Sequence, residues 1–188
     1  MNMVEPIRDL TQIEAVKKIL KPNMRDYLLF VMGINTGLRI SDLLALKQCD
    51  IMDDSGKVLD FVRIREKKTR KQKVFRLNKS ARKAVEEYVE HYGCTPGRYL
   101  FVSRKGDNRP ISRVQAWEIL NNAAHAVGIR ENIGTHTLRK TFGYHAYRQG
   151  TDITLLMRVF NHSTPAITLS YIGITQDQID NVYVNLNL

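Results

Sequence analysis

The chain has 188 residues, enough for one domain with a full hydrophobic core. Its 43% hydrophobic and 26% charged residues are an ordinary globular balance, and no apolar run reaches the length of a membrane span. The net charge of +10 points to a polyanionic partner, while the two cysteines, Cys49 and Cys94, stand in no metal-ligand spacing and read as reduced thiols of a cytosolic protein.

The opening Met1-Asn-Met-Val-Glu-Pro6 lacks the basic and apolar regions of a signal peptide. Thr11-Gln-Ile-Glu14 has the form of a capping box, with Ile13, Val16, Ile19 and Leu20 following at helical spacing and Pro22 as the stop. Asn23 is placed to cap a second helix, apolar from Tyr27 to Ile34 and therefore buried, with Gly37 as its break. Leu43, Leu44 and Leu46 make the next short helix apolar. Arg39 stands at its entrance, where it needs a partner; Asp42 or a bound phosphate would serve.

Residues 49–77 change period. Val58, Phe61, Val62 and Ile64 predict one strand and Val74, Phe75 and Leu77 another, with the basic turn Glu66–Gln72 between them. From Arg63 to Lys83 there are eleven Lys or Arg and one acid, Glu66, a local surplus equal to the charge of the whole chain. Such a concentration is the footprint of a binder of phosphate backbones, or else a solvated basic hairpin.

Ser80 or Asn78 opens an amphipathic helix with Ala81, Ala84, Val85, Tyr88, Val89 and Tyr92 on one stripe, ended by Gly93. Cys94–Pro110 reads as loop around an apolar Tyr99–Val102 segment. Ser112 caps a helix to Val127 whose Trp117 is expected in the core. Thr135 caps the next helix, running from His136 to about Gln149. Thr151-Asp152 begins a helix to Phe160, Ser163-Thr-Pro165 begins the helix bearing Tyr171, and residues 176–184 form a last one. The expected architecture is one mainly helical domain with a small antiparallel sheet, an α+β fold.

Residues 135–171 hold the chemistry. His136 and Arg139 share a helical face, and Tyr171 follows His162 by nine residues. Taken singly, each is most simply structural. Together, imidazole, guanidinium, imidazole and phenol are a set suited to holding and attacking a phosphate.

Four stretches, in order, resemble the catalytic domain of the tyrosine recombinase (phage integrase) family. Thr36-Gly-Leu-Arg39-Ile-Ser-Asp-Leu43 resembles its first arginine box, and Lys68-Thr69 its hairpin lysine. His136-Thr-Leu-Arg139 resembles its His-x-x-Arg box, and Asn161-His162-Ser163 through Thr168 and Tyr171-Ile-Gly173 its closing box. Asn161 stands where the family has glycine; asparagine tolerates the left-handed backbone, so the turn is expected to survive.

The resemblance implies cutting and rejoining of double-stranded DNA through a phosphotyrosyl intermediate, with no metal or nucleotide cofactor. Tyr171 would be the nucleophile, Arg39 and Arg139 the clamp on the non-bridging oxygens, and Lys68 the acid for the leaving 5′ oxygen, with Lys67 and Lys71 as rivals. Repulsion in that crowded turn makes a proton easier to give. His136 would take the tyrosine proton or bond to the phosphate, and His162 would bond to the phosphate. Arg63, Arg65, Arg70, Lys73 and Arg76, with Lys67 and Lys71, would contact the DNA backbone. Residues 1–173 would be the catalytic domain, without the N-terminal clamp domain of typical members. Residues 174–188 would be a tail able to dock on a neighbouring protomer. A monomer free of DNA, a tetramer on paired sites, and a cytoplasmic location complete the expectation. Two other functions compete: a non-cutting DNA-binding accessory protein, and a type IB topoisomerase-like enzyme.

Overall fold

The computed structural model describes residues 4–174 and 183–186. Its elements are, in order, α1 (Leu10–Leu20), α2 (Met24–Thr36), α3 (Ile40–Leu43), α4 (Gln48–Ile51), β1 (Val62–Arg65), β2 (Gln72–Phe75), α5 (Lys79–Tyr92), α6 (Arg113–Ala126), α7 (Thr137–Arg148), α8 (Ile153–Phe160) and α9 (Pro165–Ile172). The expected mainly helical α+β fold is borne out: β1 and β2 form one antiparallel pair, with Val62 opposite Phe75 and Arg65 opposite Gln72.

Most helix starts follow from caps written in the sequence. Asn23, Asn78, Ser112, Asp152 and Thr164 each accept a backbone N–H of the first turn, and Pro165 takes the first helical position of α9. Two caps differ from expectation. Asp9, not Thr11, opens α1, its carboxylate accepting from Thr11 N at 2.7 Å and from the Thr11 hydroxyl at 2.8 Å. A carboxylate one residue before the helix outcompetes a hydroxyl already inside it. His136, not Thr135, precedes α7, and Thr137 Oγ1 instead accepts from Gly134 N at 3.0 Å.

Strand β1 is shorter than the apolar pattern suggests, since Val58 pairs in an isolated bridge with Met52. Trp117 and Val114 do not enter the core. They are 48% and 62% exposed, because α6 turns its small face, Ala116, Ala123 and Ala124 with Leu120, inward. The final helix expected over 176–184 lies mostly outside the described residues; Tyr183, Val184 and Leu186 are exposed.

The main core surrounds α2, whose Leu28, Leu29, Phe30, Val31 and Met32 are at most 1% exposed. Burying such side chains stabilises by about 1.5–3 kcal/mol each. Helices α5 and α7 pack against α2, so α7 is fixed to the rigid centre of the molecule. Its other side meets a second, smaller core of Leu156, Phe160 and Ile172, which joins α8 and α9 to it.

That second contact depends on Gly143. A Cβ there would lie 2.5 Å from Ile172 Cγ2 and 2.6 Å from Phe160 Cζ. Gly143→Ala is expected to destabilise by about 1–3 kcal/mol through overpacking. Chemical denaturation should show a lower midpoint at unchanged slope; an unchanged midpoint would mean that α8 and α9 yield freely.

Candidate active site

Arg39 is placed by the end of α2. Gly37 adopts φ 60° and lets the chain leave the helix, and a Cβ at this residue would meet the Phe142 ring at 2.6 Å. The chain then extends through Arg39, the residue before α3. Its guanidinium Nη1 donates to Glu66 Oε1 at 2.9 Å. Asp42, the partner suggested by sequence spacing, is instead turned to the hairpin, where Oδ1 accepts from Lys67 N at 2.8 Å. Three residues of helix bring Asp42 near in sequence but leave its carboxylate facing the hairpin backbone.

Arg139 rises from the first turn of α7 and is only 3% exposed. It donates to Gly37 O and, at 3.0 Å, to Phe160 O, and its guanidinium lies 4.6 Å from the Phe160 ring centre. Arg39 Nη2 reaches the same Phe160 O at 3.4 Å, and Lys73 Nζ donates to the neighbouring Val159 O at 3.0 Å. Three cations thus gather on the last carbonyls of α8, the negative end of its dipole.

The closing turn brings up the phenol. Asn161 caps α8 at φ 57°, so the turn survives the exchange of glycine for asparagine. His162 follows, its Nδ1 3.2 Å from Thr168 Oγ1. The Tyr171 ring lies 5.0 Å from the His162 ring and 5.4 Å from that of Phe160. Burial raises the Tyr171 phenol above its usual range, while the charge and hydrogen bonding of Arg139, then the charge of Arg39, pull the other way. Burial wins, so the phenol holds its proton more firmly than a free tyrosine, with Arg139 working against it.

His136 stands at the rim of the same site. Both imidazoles are pushed below the ordinary histidine range, first by burial and then by Arg139 and its cationic neighbours, so they are neutral at pH 7. As pH falls below about 6.5 the unfolded chain takes up these protons first. Their contribution to stability is therefore whole above that pH and is lost as pH drops through the lower folded values. Urea midpoints at pH 7.5 and pH 5 should show this fall, and His136→Gln with His162→Gln should flatten it.

Of the basic residues expected on DNA, Arg63, Arg65, Lys67, Arg70, Lys71 and Arg76 are exposed on the hairpin. Arg70 takes φ 59° at its tip, and Arg76 lies 4.4 Å from the Phe61 ring. Lys68, the expected acid, is exposed at the tip. Lys73 departs from expectation. It is the hairpin lysine turned inward, and burial first, then Arg139, lowers its pKa to about 8; Arg39 also lowers it, while Glu66 and Asp42 raise it. Strand alternation separates it from its exposed neighbours Gln72 and Val74.

Sequence reading passed over Glu66 as the one acid of a basic stretch. It is 1% exposed and accepts from Arg39, from Thr69 Oγ1 at 2.5 Å and from Asn161 Nδ2 at 3.1 Å. Its isolation among eleven cations was the available signal. Among the described residues, no group of three or more His, Cys, Asp or Glu side chains is arranged to hold a metal ion, and no helix is long and apolar enough to cross a membrane.

The profile of the phage integrase family matches residues 8–177. Over 184 residues the chain is 45% identical to the Probable integrase/recombinase YoeC of Bacillus subtilis (strain 168), covering 97% of each. The crystal structure of the XerA recombinase shares its fold with a TM-score of 0.77 at 20% identity, over 98% of this chain and 67% of that one. The XerH site-specific recombinase, bound to a palindromic difH substrate in a post-cleavage complex, matches with a TM-score of 0.72 at 20% identity, over 93% of this chain and 49% of that one. The chain spans between 50% and 63% of the length of the longer tyrosine recombinases it matches. The four motifs, the helical fold that gathers them and a family match across most of its length establish that this chain belongs to the phage integrase family, the tyrosine recombinases that transfer DNA strands.

Proposed function

We propose that the chain is a site-specific DNA recombinase that cuts and rejoins double-stranded DNA through a phosphotyrosyl intermediate, without metal or ATP. Residues 1–173 form its catalytic domain. The carrying observation is the Tyr171 phenol beside the buried Arg139 and 5.0 Å from the His162 ring, measured between ring centres. A non-cutting accessory protein has no need of that convergence. The DNA complex of XerH supports DNA as the partner of this fold.

Tyr171 attacks the scissile phosphorus and its proton passes to His136. A Tyr171–phosphorus bond forms, the bond to the 5′ oxygen breaks, and that oxygen takes a proton from Lys68, carried to the DNA by the hairpin. The ester keeps the bond energy, so rejoining is the same step reversed. Charge grows on the non-bridging oxygens, where Arg39 and Arg139, with Lys73 as a third cation, hold it; His162 adds a hydrogen bond. The exposed hairpin cations grip the backbone on either side. Recombination pairs two sites, which calls for four protomers assembled on DNA from a cytoplasmic monomer.

The test is a covalent-adduct assay in EDTA, with DNA taken from the flanks of the gene. A protein–DNA band that survives denaturation supports the proposal. Salt-sensitive DNA binding with no such band would favour the accessory reading. Single-turnover cleavage should also follow a bell in pH. Its acid limb belongs to the two histidines. Its alkaline limb lies near pH 8, where Lys73 loses its charge. Lys73→Met should remove the alkaline limb.

A further inference from the structure

Glu66 bonds directly to the Arg39 guanidinium, yet the mechanism leaves it without a part. This carboxylate begins the hairpin turn, directly after β1, and is all but sealed from solvent at 1% exposure. Each of its three side-chain donors belongs to a different part of the fold. Arg39 lies between α2 and α3, Thr69 is in the hairpin tip, and Asn161 ends α8. The hairpin main chain is tied to the same residue, for Glu66 N donates to Lys71 O at 3.0 Å and Arg70 N donates to Glu66 O at 2.9 Å.

Building on the strand-transfer reading above, we propose that Glu66 is a positioning residue of the reaction: one buried carboxylate aims Arg39 at the scissile phosphate and ties that arginine to the hairpin bearing Lys68. Arg39 commits Nη1 to Glu66 and Nη2 to Phe160 O, which fixes the plane of its fork. The rest of its five N–H groups are left for phosphate oxygens. Thr69 adjoins Lys68, so the bond from its hydroxyl to Glu66 holds the lysine-bearing turn to the same carboxylate.

Electrostatics supplies the second reason. Arg39, Arg139 and Lys73 are crowded on two adjacent carbonyls, and like charges so placed repel one another when no phosphate lies between them. Glu66 is the anion that lets them assemble beforehand. Burial alone would raise its carboxyl; the Thr69 hydroxyl and the charges of Arg39, Lys73 and Arg139 outweigh that and hold it below the ordinary carboxylate range, so it is ionised at working pH. Asp42 also acts on Lys73 but accepts nothing from Arg39; its Oδ1 instead accepts from the Lys67 N–H. A preassembled seat needs no reorganisation when DNA arrives.

The test is a double-mutant cycle on single-turnover cleavage of duplex DNA carrying the target site. Glu66→Gln removes the charge and keeps the shape. It should slow cleavage on the order of 10–100-fold in the parent protein and by several-fold less in the Arg39→Ala background, where only its ties to the Lys68 turn and to Lys73 remain to be lost. DNA affinity should hold or rise, since a negative charge leaves a basic surface. The alkaline limb of the pH profile should move below its parent position, as Lys73 loses the anion that most supports its charge. Equal losses in both backgrounds, or a limb that stays in place, would overturn the proposal; faster cleavage by Glu66→Gln would make Glu66 a block on Arg39. If Glu66→Gln does not fold, Glu66→Asp replaces it in the cycle, still ionised but one methylene short of Arg39; the limb should then stay in place, and equal losses in both backgrounds would overturn the proposal. Failure of the parent protein to form any adduct is a separate result and would overturn the strand-transfer reading itself.

Discussion

Tyr171→Phe removes one oxygen, and with it the covalent protein–DNA adduct should vanish, a loss of at least about 10⁴-fold in cleavage. The ring itself stays. It packs on Phe160 and lies over the Lys140 ammonium at 5.5 Å, contacts that need no hydroxyl, so α9 should hold its place. DNA binding should be nearly unchanged, because the exposed hairpin cations proposed to grip the backbone lie elsewhere. Arg139 keeps its bonds to Gly37 O and Phe160 O in the variant, so no buried guanidinium is left without acceptors. The informative comparison is a denaturing gel against a binding isotherm on the same DNA. An adduct in the variant would pass the nucleophile to another tyrosine. Tyr144 is 8% exposed and within the protein, and Tyr147 packs on the small core, so neither is placed to receive it.

What could be read from the sequence follows the range of each interaction. Asn23, Ser112, Asp152 and Thr164 bond to an N–H two or three residues ahead, and such local signals survive without a fold. Asn161 was legible for the same reason, since its left-handed conformation is its own property. The partner of Arg39 was not. Glu66 lies 27 residues away, beyond α3, α4 and β1, while Asp42 sits at the distance that helix periodicity favours. Trp117 shows another limit. Periodicity marked its helix correctly, but only the tertiary packing of α6 decides that its alanines face inward and its tryptophan outward. Composition groups Lys73 with its basic neighbours, since it does not reveal which member of a charged strand turns toward the protein.

Arg139, buried and bonded to two backbone carbonyls, is placed to serve both the fold and the proposed chemistry, and its substitution should show both. Arg139→Ala should destabilise by about 2–4 kcal/mol, because Gly37 O loses its guanidinium donor and Phe160 O keeps only the longer bond from Arg39. The face of the Phe160 ring also loses its cation. Cleavage by the fraction that remains folded should fall about 10²–10³-fold, the usual cost of removing one fixed donor from a developing oxyanion. Arg139→Lys separates the two accounts. Its ammonium keeps the charge, but a single point cannot span from Gly37 O to Phe160 O and still present a flat pair of donors to phosphate. The lysine variant should therefore remain slow, recovering less than about 10-fold over alanine, and should regain only part of the stability. Unfolding midpoints and single-turnover rates, taken at a temperature where both variants are folded, read the two quantities independently. Full recovery of cleavage by lysine would mean that charge alone acts at this position and that the fork geometry, so tightly built by the ends of α2 and α8, serves the fold only.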